Sequence, residues 1–323
     1  MDFLFVEFSI SGVKTWVFLP PLVAFIVSFF TSIGGVSGAF LLLPFQMSFL
    51  GYTSPSVSAT NQLFNVVAIP SGVYRYFKEG RMVWPLTWVV VAGTLPGVFI
   101  GAILRIACLP DPKRFKLFAS GVLLYIALRM VRDLARKVTV GQGSGEQRFR
   151  ELVRSHQRKA GTKENTGTNV LPAVKVTHFN HRRLGYTFYG EQFDISIWSI
   201  FALSFVVGVV GGIYGIGGGA IIAPFFVSFL RLPVYTVAGA ALMGTFVTSV
   251  AGVGFYQGIA AFYPDMSVAP DWSLGILFGL GGMAGMYLGA RCQKYVPARA
   301  IKWMLAAIIG FTALKYATDF FGM

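Results

Sequence analysis

The chain has 323 residues, 55% hydrophobic and only 12% charged, where a soluble globular protein carries about 25% charged residues. With a mean hydropathy of +0.65, this excludes an ordinary cytosolic enzyme and a disordered chain. The net charge of +14 is basic enough to suggest nucleic acid, so its placement along the chain decides the matter.

Residues Thr15–Tyr74 contain no Asp, Glu, Lys or Arg, a run of 60. Further charge-free runs lie between Arg81 and Arg105, Lys116 and Arg129, Asp194 and Arg231, Arg231 and Asp265, Asp271 and Arg291, and Lys302 and Lys315. A membrane helix needs about 20 apolar residues, so the runs give about eight hydrophobic segments. They are continuous rather than alternating, which excludes a β-barrel. The chain reads as an all-α polytopic membrane protein. Its N-terminus does not read as a signal peptide, because Asp2 and Glu7 stand where positive charge belongs and the apolar run is too long. Cys108 and Cys292 end apolar runs without a CxxC and read as small membrane residues.

The first segment, Val17–Phe49, is 33 residues long. As one helix it would measure about 50 Å at 1.5 Å per residue, against a hydrocarbon core of about 30 Å. It must break, and Gly34, Gly35 and Gly38 mark the place. The break makes either one broken span or a hairpin that turns back. A second copy follows. Ser32–Phe45 aligns without gaps to Gly212–Phe225, and Gly93–Gly101 aligns to Gly281–Gly289. Such internal duplications are common in secondary transporters.

Between the copies lies a polar, basic segment with all three histidines, His156, His178 and His181. About +8 of the net charge falls between Arg132 and Gly185. Its first part reads as a linker, and Tyr186–Tyr189 as a short ordered piece beside the membrane. The organisation is a transmembrane repeat over 1–131, a basic loop over 132–193, and a second repeat over 194–323. If each Gly-rich segment returns to its starting side, the halves are inverted. The central loop, Arg291–Lys302, Arg231 and Lys78–Arg81 then share one side at about +14, leaving about 0 on the other. The positive-inside rule favours that arrangement. The expected topology is inverted repeats with Gly-broken or re-entrant helices, both termini outside and the loop in the cytoplasm. The charge thus orients the protein, and nucleic acid is not expected.

The chemistry is expected at the breaks. Unwound backbone cannot face lipid, and a half-helix beginning after a break presents N–H groups and a positive dipole end. Gly34, Gly35, Ser37 and Gly38, with Gly215, Gly217, Gly218 and Gly219, therefore frame a candidate anion site. Thr60, Asn61, Gln62 and Asn65 add amides and a hydroxyl in an otherwise apolar span, and Thr245 and Thr248 answer them in the second repeat. The plainer alternatives are close helix packing for the glycines and interhelical bonding for the amides. No carboxylate or histidine lies inside an apolar run, and no catalytic triad, phosphate loop or metal-ligand set occurs. No enzyme activity, cofactor or metal is expected. Arg75, Arg105, Arg129 and Lys315 flank spans and are expected to snorkel.

The paired Gly-rich segments ending in Pro-Phe, the Ser58-Ala-Thr-Asn-Gln62 stretch and Gly93-Thr-Leu-Pro-Gly-Val-Phe-Ile-Gly-Ala102 resemble the TauE/SafE family of membrane proteins, named for sulfite and sulfonate exporters. The resemblance covers about residues 15–130 and 195–318, leaving the basic segment outside it. It implies a secondary transporter in a prokaryotic plasma membrane that exports sulfite, sulfoacetate or a related sulfonate by alternating access. An anion channel or a permease for another small anion is the alternative. The expected partners are a small anionic substrate and the lipid bilayer; a homo-oligomer stays open.

Overall fold

The computed structural model describes residues 4–34, 37–78, 82–135, 175–188, 191–219, 221–230, 232, 234–292 and 298–321. A short hairpin, β1 (Phe5–Glu7) and β2 (Lys14–Trp16), leads into α1 (Leu19–Gly34). Then come α2 (Ala39–Ser48), α3 (Ser56–Ala68), α4 (Pro70–Lys78), α5 (Trp84–Ala107) and α6 (Pro112–Ala135). A three-stranded antiparallel sheet follows, β3 (Lys175–Phe179), β4 (Arg183–Phe188) and β5 (Glu191–Ser196), in that order. The second repeat runs α7 (Ile197–Tyr214), α8 (Ile222–Phe229), α9 (Val234–Ile259), α10 (Trp272–Cys292) and α11 (Ala298–Phe321). Among the described residues, five helices are long and apolar enough to cross a membrane, within α5, α7, α9, α10 and α11. Helices α1 and α2 are shorter apolar ones.

Local chemistry sets the helix starts. Prolines occupy the first turns of α1, α4, α5 and α6, where a missing N–H leaves no helix bond unmade. Asp111 caps α6 by accepting from the Lys113 N–H at 2.9 Å. Pro70 divides the third apolar segment into α3 and α4, because a helix-interior proline has no N–H to give.

The helices pack in pairs that exchange between the repeats. Helix α5 lies along α7 and α1 along α10, while α6 packs on α11 and α3 on α9. Small residues permit the first two contacts. Gly93, Gly97 and Gly101 face Phe201–Ile213, and Gly281, Gly285 and Gly289 press on the carbonyls of Pro21, Phe25 and Phe29. Glycines four apart on one face let two backbones touch. In both pairs residue numbers rise together, so the helices are parallel.

Hydrogen bonds then fix the directions. Ser267 donates to the Ile10 carbonyl at 2.8 Å, and the Ser56 N–H donates to the Ser267 carbonyl at 3.0 Å. The Arg105 guanidinium donates to the Thr53 carbonyl at 3.2 Å. The start of α1, the start of α3, the end of α5 and the start of α10 therefore share one end of the bundle, the terminal face. The Tyr316 hydroxyl donates to Pro44 at 3.2 Å, and Lys116 lies 5.6 Å over the Tyr316 ring, which brings the end of α11 there too. The sheet, the start of α7 and the start of α9 lie at the opposite face, where Tyr186 bonds Thr236 at 3.0 Å. Helix α1 leaves the terminal face and α7 approaches it, so equivalent helices run in opposite senses and the repeats are inverted.

Both Gly-rich segments are hairpins. Ser48 pairs with Tyr316 at 2.9 Å, and Tyr52 with Ser56 at 2.5 Å, so the chain after α2 is back at the terminal face where α1 began. Phe225 in α8 lies beside Tyr125 and Arg129 of α6, and Thr236 just after α8 bonds Tyr186, so the chain is back where α7 began. The structure thus selects the hairpin over the broken span. Of the expected short ordered piece, Tyr186, Thr187 and Phe188 lie in β4, and Tyr189 is outside the described residues.

Candidate functional site

The second hairpin turns deep in the bundle. Gly215 (φ 81°) ends α7 in the left-handed region and Gly217 (φ 74°) repeats it two residues on, a conformation that only glycine adopts without strain. A side chain at Gly215 would strike the Ser58 backbone, and one at Gly219 the Ala241 carbonyl. The turn is anchored from three sides. Asn65 Nδ2 donates to the Ile216 carbonyl at 2.9 Å, Ser58 to Ile213 at 3.0 Å, and the Gly218 N–H to Thr248 Oγ1 at 3.1 Å. Thr245 packs on Gly217 and Gly219.

The first hairpin turns beside it. Gly34 closes α1, and Gly35 lies outside the described residues. Ser37 Oγ accepts from the Ala39 N–H at 3.3 Å, at the start of α2. Gly38 fits against Ser28, Thr31 and Phe64. The two hairpins touch through a proline. Pro44 has no N–H, so the Phe40 carbonyl four residues back lacks its helix partner. Tyr214 from the second hairpin donates to that carbonyl at 3.1 Å.

Helix α3 runs between the hairpins. Asn61 reaches the first, donating to Ala39 at 3.2 Å and accepting from Gln46 Nε2 at 3.4 Å. Asn65 reaches the second. Gln62 points at α9, where only the missing side chain of Gly252 leaves it room. Thr60 stands apart from both turns, accepting from the Asp271 N–H and bonding Tyr52, each at 2.9 Å. All four are fully buried. The structure therefore gathers Asn61, Asn65, Thr245 and Thr248 with the turns, directs Gln62 at α9 beside Gly252, and leaves Thr60 in a terminal-face network.

Several polar atoms here have no partner among the described residues: both amide atoms of Gln62, Asn65 Oδ1, Gln46 Oε1, and the hydroxyls of Ser28 and Ser249; the Ser204 hydroxyl, in the α5–α7 seam against Gly93, has none either. Each buried unmade bond costs about 1–3 kcal/mol. Gln46, Ser28 and Ser204 were not singled out from the sequence. An amide within Phe40–Met47 was a signal for Gln46; single serines in apolar runs gave none. None of these side chains carries a charge.

Arg105 departs from the snorkelling expectation. It is fully buried, donates to the carbonyls of Leu109 and Thr53, and lies 3.7 Å over the Phe115 ring. The Leu109 carbonyl in the turn after α5 and the Thr53 carbonyl before α3 take up its two terminal nitrogens, while Nε has no partner among the described residues, so the side chain does not reach outward.

The family described as sulfite exporter TauE/SafE matches residues 21–316. The chain is also 22% identical over 115 residues to the probable membrane transporter protein YdhB of Bacillus subtilis (strain 168), a match covering 36% of this chain and 44% of that protein. No solved structure matches.

Proposed function

We infer the function from one premise: the chain belongs to the TauE/SafE sulfite exporter family and is a multi-pass membrane transporter. The proposed cargo is a small sulfur-containing oxyanion, sulfite, sulfoacetate or a related sulfonate, exported by alternating access. The observation carrying this reading is the group of buried, unpartnered polar atoms on α3 and beside the two turns. Most buried polar atoms in native proteins are hydrogen-bonded, so a group of unpartnered ones calls for an explanation, and a bound oxyanion would supply the missing partners. Gln62 Nε2 and the Ser249 hydroxyl donate to its oxygens. Gln62 Oε1 and Asn65 Oδ1 accept from any acidic O–H or ordered water it brings. Asn61, Thr245 and Thr248 hold the turns that shape the site.

A neutral site suits export of an anion. A buried cation would hold the charge too firmly to release it, and the membrane potential already drives it outward at about 2.3 kcal/mol per charge per 100 mV. The parallel pairs α5–α7 and α1–α10 provide two equivalent seams along which one repeat rocks against the other. In the proposed orientation the basic central face is cytoplasmic, as the positive-inside rule requires. The membrane is the plasma membrane of a prokaryote.

Flux from proteoliposomes tests the reading. Saturable movement of sulfite or sulfoacetate is expected, with acetate carried poorly. Equal flux of all three overturns the assignment of cargo, and non-saturating flux overturns the carrier.

A further inference from the structure

The three-stranded sheet has a seated part and an overhanging part. Leu184, Tyr186, Phe188 and Ile195 are buried and share the face that sits on the bundle. Burial pushes the Tyr186 hydroxyl up to about 12, so it stays protonated against Thr236. The register places Val176 opposite Tyr186 and Phe179 opposite Leu184, on that same inward face. Yet Val176 is 43% exposed and Phe179 53%. Strand β3 therefore projects past the edge of the bundle with two apolar side chains uncovered on its bundle-side face.

The rest of the hairpin is basic. Its turn forms a cleft of about 450 Å³ lined by His178, Asn180, His181, Arg182 and Arg183. Two of these are engaged by Asp194: Arg183 at 2.5 Å and His178 at 3.3 Å, the imidazole lying across Gly185. Lys175, His181 and Arg182 are exposed and have no side-chain partner among the described residues. The position is interfacial. Strand β5 passes directly into α7, whose first turn carries Trp198 at 67% exposure, and Trp84 is exposed at the start of α5 on the same face. Tryptophans mark the headgroup level.

We propose that the β3–β4 hairpin is a docking surface for anionic phospholipid headgroups of the bilayer that holds the bundle. Val176 and Phe179 enter the boundary between headgroups and chains, while Lys175, His181 and Arg182 meet the phosphates. A soluble acidic partner fits less well, because the apolar pair faces the bundle side rather than away from it. The inference does not depend on which anion is carried.

The test uses the full chain in nanodiscs. Phe179→Trp provides a local reporter, read as the difference from the parent chain. Its emission should shift to the blue and be quenched by brominated phosphatidylglycerol more than by brominated phosphatidylcholine. Adding Lys175→Gln and Arg182→Gln should reduce that preference about fivefold per charge, the equivalent of ~1 kcal/mol per basic residue at an anionic surface. High salt should reduce it as well. Quenching by neither lipid, or by both equally, overturns the proposal. So does a reporter that responds to an acidic peptide or to inorganic phosphate while the anionic lipid leaves it unchanged.

Discussion

In the first repeat Ser37 takes up the Ala39 N–H where α2 begins, whereas the second hairpin turns through two left-handed glycines, Gly215 and Gly217. The helices that follow differ in the same way. Helix α3 carries the buried amides Asn61, Gln62 and Asn65, while its counterpart α9 offers the buried hydroxyls Thr245, Thr248 and Ser249, its one amide, Gln257, being exposed near the helix end against Trp272. The duplication supplies two matching frames, and the divergence between them supplies the polar chemistry. An inverted pair of identical halves would present the same groups from both ends. This pair presents amides from one half and a bare, glycine-lined turn from the other.

The largest effect that would break the comparison is at Gly219. Leucine there meets the Ala241 carbonyl and the Thr245 N–H, neither of which can move aside. Gly219→Leu should abolish recovery of folded protein in detergent, whereas Gly254→Leu, facing open space, should not. A folded Gly219→Leu chain would mean that the second turn is not held as described. Asn65→Ala comes next. It strips the Ile216 carbonyl of its donor and should cost about 1–3 kcal/mol, seen as a lower melting temperature, together with lost transport. Tyr214→Phe should cost about 1 kcal/mol, because the Phe40 carbonyl loses its donor. That loss should shrink in a Pro44→Ala background, where residue 44 regains an N–H for the same carbonyl. Additive melting shifts would sink the link between the hairpins. The smallest effect on stability is expected of Gly252→Ala. Its methyl displaces the Gln62 amide, so flux should fall while the melting temperature holds.

Much of this architecture was legible in the sequence. The excess length of Val17–Phe49, its glycines and the in-register copy pointed to a break in each repeat, a hairpin or a broken span. The partition of charge favoured the hairpin, and the fold has inverted repeats. The amides of α3 stood out as polar residues in an apolar run. What stayed hidden depends on which helices the inversion brings together. Tyr214 looks like any membrane aromatic until Pro44, 170 positions earlier, is seen to free a carbonyl beside it. Ser28 and Ser204 carry no local signal, and Arg105 resembled any flanking arginine until the turn after α5 closed over it. The sheet was foreseen only as a fragment at Tyr186–Tyr189, because β3 is exposed along its whole length and lacks an alternating apolar pattern.

The central claim is that the unpartnered polar atoms on α3 and beside the turns exist for a bound anion rather than for the fold. Gln62→Leu tests it most directly, since both atoms of that amide lack partners. Leucine relieves about 1–3 kcal/mol of unmade bonding, so the melting temperature of the purified protein should hold or rise. Sulfite and sulfoacetate flux in proteoliposomes should fall at least tenfold. A variant that carries both anions at the parent rate would contradict the account.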